Sequence, residues 1–505
     1  MAVETSAVGG GAGSGTSEGQ RLKGGQLSLP NCVALSAAVM APVIAVILNA
    51  PAAAANGQGA LPLAFLAAFI GTGFVAVTVV QFARRLPSSG LFYTYVSHAL
   101  GGGAGFYTGW LYFAAYVLLA IGLFTANGAF LHNYMATEWS VNVNWWILSL
   151  AEMGLIFMFS LRSIKTSVRI DLSLLAFEMV VFITLAVIAI AKAGSANTLH
   201  YFTPSATSGG VKDVGLAAVF GILSFIGFES AATLGEESRN PKRNIPLAVG
   251  GATVIIGVFY VFMMYALSAG YGLNSAVHLK AFIADASPFA TIATHDASWM
   301  TQIIDIAGVL GLFSCFLAVQ NATVRVIFSM GRDNVLPGVL GKVHPRFHSP
   351  YTAIYALTAI SVVAGILFSL WLGDSLTDVY GWTGTIGTVA IVLVYMLASI
   401  GLIRFFWRDP ERNIFLHVIC PILGIVALAY PLYVNIKPNQ PYPFNLVFWV
   451  MLAWLILGGF VYWYFRQNDP EKLKAVGRVL AEDVEDLAEG KLASGPVTAA
   501  ATPAP

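Results

Sequence analysis

Charge is what this sequence has least of. Asp, Glu, Lys and Arg make up 10% of its 505 residues, against about a quarter in an ordinary soluble protein, so the chain cannot cover a water-facing surface of its size. Neither sign dominates. The formal net charge of +1 argues against the basic footprint of a nucleic-acid binder. Cysteine is nearly absent too: Cys32, Cys315 and Cys420 all lie in apolar stretches, which argues against a disulfide scaffold or a thiolate metal site. The eight histidines are scattered, with no metal-ligating spacing. No glycine-rich phosphate loop is present, which argues against ATP-driven transport, and no nucleophile–base set at matched depth points to an intramembrane enzyme. No cofactor and no metal are expected.

What the sequence has instead is apolar length. Hydrophobic residues make up 57% and the mean hydropathy is +0.75. Twelve apolar runs, each near the roughly 20 residues needed to cross about 30 Å of hydrocarbon, lie at about 31–50, 61–83, 103–131, 143–161, 169–191, 215–235, 247–270, 302–328, 351–372, 378–403, 413–435 and 444–465. The expected class is an all-α polytopic protein, multi-pass in the lipid bilayer of the cell membrane, with its membrane domain over 27–466. Residues 1–26, rich in Gly, Ser, Ala and Thr, read as a disordered tail rather than a signal peptide. Residues 467–505 read as a charged helix followed by a loose Ala/Pro-rich tail.

Cation placement sets the expected orientation. With the N-terminus inside, all of the Lys and Arg fall in inner loops, span ends or the two tails except Lys192, Lys212, Lys280 and Lys437. The positive-inside rule then puts both termini in the cytoplasm.

Spans one and six differ from the rest. In span one, Pro42 follows Met40-Ala41. A proline lacks the N–H and clashes with the carbonyl four residues back, yet suits the first turn of a helix. The sequence therefore predicts a break before Pro42 and a second half-helix whose first amides, from Val43 on, face an incoming carboxylate. Span six reads Phe220-Gly221-Ile222-Leu223-Ser224-Phe225-Ile226-Gly227-Phe228-Glu229-Ser230-Ala231. Two glycines, two serines and a carboxylate are costly at mid-membrane and tolerated where unwound backbone lines a protected cavity. Interrupted helices five spans apart point to a transporter site at the midplane.

The motifs now on the page resemble those of the amino acid–polyamine–organocation permeases. They are Ser224–Ala231 with the following Gly235-Glu236-Glu237-Ser238-Arg239-Asn240-Pro241; Arg84-Arg85-Leu86-Pro87-Ser88-Ser89-Gly90 between spans two and three; and Gly331-Arg332-Asp333-Asn334-Val335-Leu336-Pro337 after span eight. The resemblance implies a LeuT-like fold of two inverted five-span repeats plus two peripheral helices. It implies transport of amino acids or related amines driven by protons, sodium or exchange. It also implies substrate contacts at Ala41, Pro42 and Val43 in span one and at Ser224, Phe225, Ile226 and Gly227 in span six. Many relatives are glycine-rich at the span-one bend, where this chain has Ala41-Pro42-Val43.

Few acidic residues sit well inside the spans. Glu229 resembles the family's gate glutamate, within reach of Tyr112 in span three. Glu178 in span five stands where some relatives carry a lysine in place of sodium, and a carboxylate there can take and release a proton. Glu152 reads as a packing residue. Tyr116 in span three and Thr385 in span ten are further candidates for the substrate, and Ser314 in span eight for a sodium ion. The mixed-charge loop 236–244 is expected to hold an inner gate through ion pairs. The expected activity is secondary active transport, proton-coupled, with exchange, sodium symport and a transport-dead sensor as the alternatives. The oligomeric state is unspecified.

Overall fold

The computed structural model describes residues 24–86, 88–162, 164–285, 287–373, 378–437, 440–470 and 473. Most of the two expected tails, up to residue 23 and from 474 on, lies outside the described residues. Among the described residues eleven helices are long and apolar enough to cross a membrane. A twelfth, Trp145–Leu161, has 17 residues, a rise of about 26 Å at 1.5 Å per residue and the lower limit for a spanning helix. In chain order the spans are Leu29–Gly57, Leu61–Arg85, Gly102–Trp139, Trp145–Leu161, Ile164–Lys192, Val211–Leu234, Pro241–Tyr271, Ser298–Arg332, Tyr351–Leu372, Tyr380–Phe405, Phe415–Ile436 and Phe444–Asn468. The chain is an all-α polytopic membrane protein.

Two spans are interrupted where the sequence predicts. Span one is helical over Leu29–Val39 and starts again at Pro42. Between them Ala41 takes φ 51° and ψ 68°, the left-handed region that non-glycine residues visit rarely. Span six is helical over Val211–Phe225 and resumes as a short 3₁₀ turn over Ser230–Leu234. The halves pair crosswise: the first half of span one packs on the second half of span six, and Ala50–Gly57 packs on Val211–Phe225. Span two packs on seven and three on eight, and span one meets seven as span two meets six. An odd number of spans per repeat reverses the second copy in the membrane, so these pairings describe two inverted five-span units. Spans eleven and twelve lie outside them.

Burial follows that plan. In the most apolar stretches of spans one and three, 83% of residues are inside the protein, against 17% for span twelve. Lipid receives the outward faces, among them Val187, Val363, Val426 and Phe460. Span twelve is held by a reciprocal pair of indoles. Trp110 and Trp454 stack at 4.4 Å, and each donates its N–H to the other's backbone carbonyl, at 2.9 and 3.2 Å.

Candidate functional site

Unwound backbone in a bilayer needs replacement partners, and here the two breaks supply them for each other. Ser36 Oγ, in the first half of span one, donates to the Phe228 carbonyl at 2.7 Å and accepts from the Ala231 amide at 2.8 Å. The Tyr260 hydroxyl of span seven lies between the carbonyls of Met40 and Ser224, 2.9 Å from the latter, so one donor serves both breaks. Asn49 Nδ2 donates to Ser224 Oγ at 2.9 Å, and that hydroxyl donates to the Phe220 carbonyl at 2.8 Å. Gly227 sits at φ 106° with its Cα against Val39: a Cβ there would lie 2.2 Å from Val39 Cγ1. Only glycine accepts both the conformation and the contact.

Some backbone groups stay open. The bond from the Ala45 amide to the Ala41 carbonyl is the first of the second half-helix, which leaves the amides of Val43 and Ile44 as first-turn donors without intrahelical acceptors. Among the described residues nothing donates to the Ile226 carbonyl. Ile44 and Ile226 both line a central cavity of about 40 Å³, together with Met40, Ala41, Asn49, Tyr116, Leu223, Ser224 and Thr388. This cavity shares Asn49, Leu119, Leu223, Tyr380, Gly384 and Thr388 with a vestibule of about 570 Å³. Thr385 lines that vestibule, its hydroxyl bonded within its own helix to the Gly381 carbonyl.

The other expected residues stand behind the cavity wall. Pro42 and Val43 do not line it; Val43 packs on span eight at Gly311. Phe225 stacks on Phe69 and meets Tyr260 edge-on. Glu229 is fully buried and accepts four hydrogen bonds. Tyr116 donates to Oε1 at 2.6 Å and Tyr112 lies 3.3 Å from the same oxygen; Tyr395 donates to Oε2 at 2.8 Å and the Gly227 amide does so at 3.2 Å. Tyr116 thus separates the carboxylate from the cavity it lines. Glu178 Oε2 has no hydrogen-bond partner among the described residues, and a Cβ on Gly311 would come 2.2 Å from it. Asp171 and Ser314 are buried beside each other, on spans five and eight. Glu152 accepts from Asn127, which also bonds the Leu312 carbonyl, so it braces spans three, four and eight.

The end of the molecule rich in arginine is shut. Arg325 clamps Glu237 in a two-pronged pair at 2.6 and 3.2 Å, both side chains about 4% exposed or less. Arg332 clamps Glu236 at 3.2 Å through two nitrogens, and Ser89 donates to the same carboxylate. Burial alone would raise the Glu236 carboxyl, but the Arg332 guanidinium and the Ser89 hydroxyl outweigh it and hold the group below its ordinary range. The amides of Gln26 and Leu27 donate to the Glu237 carbonyl, at 2.9 and 3.1 Å, and the Arg239 amide donates to the Leu27 carbonyl. The loop carboxylates therefore pair with arginines of span eight and not with the loop's own cations.

Sequence reasoning missed Tyr260, Tyr395, Asn49 and Ser36. Each is a polar side chain at membrane depth, which is itself a signal, but none lies in a recognisable motif. Trp110 and Trp382, by contrast, serve packing: Trp382 donates to the Pro443 carbonyl and lies edge-on to Phe368 and Trp371.

A family model described as amino acid permease matches residues 27–461. The chain belongs to that family, within the amino acid–polyamine–organocation superfamily. Among curated relatives of this permease, the branched-chain amino acid permease BcaP of Bacillus subtilis is 24% identical over 84% of this chain and 89% of its own length. The methylthioribose transporter of the same organism is 25% identical over 82% and 88%. The low-affinity putrescine importer PlaP of Escherichia coli K12 is 24% identical over 76% and 82%.

Proposed function

We propose that this permease is a secondary active transporter that carries amino acids or related small amines across the cell membrane by alternating access, with protons as the coupling ion and both termini cytoplasmic. The observation that carries the reading is the pair of facing helix breaks around one cavity, open through a vestibule at one end and shut by buried ion pairs at the other. In this reading the substrate carboxylate docks on the open amide of Ile44 at the start of the second half of span one, and the ammonium on the Ile226 carbonyl. The cavity is small, so the occluded substrate widens it by displacing the Asn49 and Leu223 side chains at its junction with the vestibule. Cation asymmetry supports this orientation, with the arginine-rich shut end facing inward.

Glu178 and Glu229 are the proton-carrying candidates. Glu178 packs where Val43 meets span eight, so movement of the second half of span one changes its surroundings. A carboxylate in such a seam is stable when neutral and costly when charged, which couples its proton to the position of span one. The test is uptake of labelled amino acids into proteoliposomes under an imposed pH gradient, repeated with the gradient collapsed, with sodium replaced, and with unlabelled substrate inside. Loss of accumulation when the pH gradient is collapsed, and in no other arm, is the expected result. Accumulation that survives collapse of the proton gradient overturns proton coupling. Dependence on sodium or internal substrate would identify symport or exchange instead, and binding without counterflow would identify a sensor.

A further inference from the structure

Span eleven lies outside the two repeats, yet the residue that follows it supplies the only charged side chain among the described residues lining the cavity or its vestibule, Lys437. Among the described residues no carboxylate lines either space. Two intramembrane acids stand back from the lining: Glu229 is enclosed by Tyr116, Tyr395 and the Gly227 amide, and Glu178 Oε2 lies against Gly311 of span eight. Among the described lining residues a solute moving inward therefore meets one ammonium at the mouth and then neutral groups, such as Asn49 and Thr385.

That arrangement discriminates by charge. A polyamine or basic amino acid carries excess positive charge with no carboxylate of its own to balance it, and burying an uncompensated ammonium is costly. A zwitterionic amino acid brings its own countercharge, and its carboxylate is drawn by the Lys437 ammonium in a mouth whose low-dielectric walls focus the field. Overall similarity does not choose between these substrates, since a branched-chain amino acid permease and a putrescine importer are both 24% identical to this chain. The lining does.

We propose that Lys437 is the entrance selectivity residue of this permease, admitting carboxylate-bearing amino acids without excess positive charge and excluding polyamines and basic amino acids. The proposal rests on the transport reading above and names its substrate class. The test uses the full chain in proteoliposomes. It compares kcat/KM for the labelled neutral amino acids, taken singly, with that for putrescine and arginine, in wild type and in Lys437→Gln, Lys437→Glu and Lys437→Arg. Wild type is expected to prefer its best neutral amino acid over putrescine by about a hundredfold, and Lys437→Glu to narrow that gap about tenfold. Lys437→Arg should keep the gap and Lys437→Gln should fall between. The narrowing should shrink as the screening length falls from about 30 Å at 0.01 M salt to about 3 Å at 1 M, which a merely structural role for Lys437 would not produce. Putrescine transported as well as the best amino acid, or a gap unchanged in Lys437→Glu, overturns the proposal and leaves the transport reading intact. Transport of none of the probes overturns the amino acid and amine transport reading, and this proposal with it.

Discussion

Glu229 shows how a fully buried carboxyl group inside a span is given hydrogen-bond partners. Its two oxygens receive three tyrosine hydroxyls and one amide, so every donor has one acceptor to serve. Glutamine would set an NH₂ against some of these donors. Hydroxyls can turn and accept, but the Gly227 amide cannot. Glu229→Gln is therefore expected to remain folded, to distort the span-six break and to lower uptake by at least about tenfold, measured in liposomes against a thermal-unfolding control. Wild-type uptake would remove Glu229 from the mechanism. Tyr260→Phe takes the shared donor from two buried carbonyls, and an unsatisfied buried group costs about 1–3 kcal/mol; a lower Tm with unchanged oligomeric homogeneity is the expected result. At Gly227 even alanine is excluded, by Val39 and by φ 106°. Gly227→Ala should abolish substrate-induced thermal stabilisation, and Val39→Ala should fail to rescue it because the backbone strain persists. The sequence pointed to Glu229 and Gly227 through their motif. Tyr395 and Tyr260 were not legible, since nothing along the chain says which mid-span hydroxyl meets which carbonyl.

At the scale of elements, the arginine-rich end is closed by span eight clamping the loop after span six, with Gln26 and Leu27 laid across that loop. Removing one member of a buried ion pair leaves the other uncompensated, at a cost of about 3–5 kcal/mol. Glu237→Gln should therefore populate the form open at that end. Cys32 is a native reporter, fully buried and bonded to Ser238 beneath the loop. With Cys315 and Cys420 replaced by alanine, its labelling by a thiol reagent should rise by at least about tenfold in Glu237→Gln; an unchanged rate would show that the pair does not hold the closure. The Glu236 carboxyl lies below its ordinary range, so its contribution to closure is complete above the unfolded-state value of about 4.3. It is lost only as pH falls through the lower folded value. Hydrogen exchange of the 236–239 amides, corrected for intrinsic rate, should stay slow on acidification until below that range. Loosening near pH 6 would contradict this assignment.

The whole molecule is asymmetric along the membrane normal although its repeats are inverted copies. One end holds a vestibule reached by Asn56 and Lys437, and the other a set of buried ion pairs. A single site that communicates with one side at a time is the condition for coupled transport. With the proposed orientation, a membrane-impermeant thiol reagent added outside intact cells should label Asn56→Cys and leave Cys32 untouched. The reverse pattern would invert the topology and place the vestibule inside.

The sequence by itself determined the membrane class, the number of crossings and the location of the two breaks. Those features follow from local chemistry: apolar length against bilayer thickness, a proline without an N–H, glycines and a carboxylate where water is absent. Tertiary structure decided which freed backbone groups are satisfied and which stay open, because their partners come from helices far away in the chain. It also decided that the loop acids pair with Arg325 and Arg332, that Glu229 is screened by Tyr116, and that a lysine at the end of a peripheral helix lines the vestibule. Each depends on the crossing of helices in space, and no periodicity along one helix encodes where another will cross it.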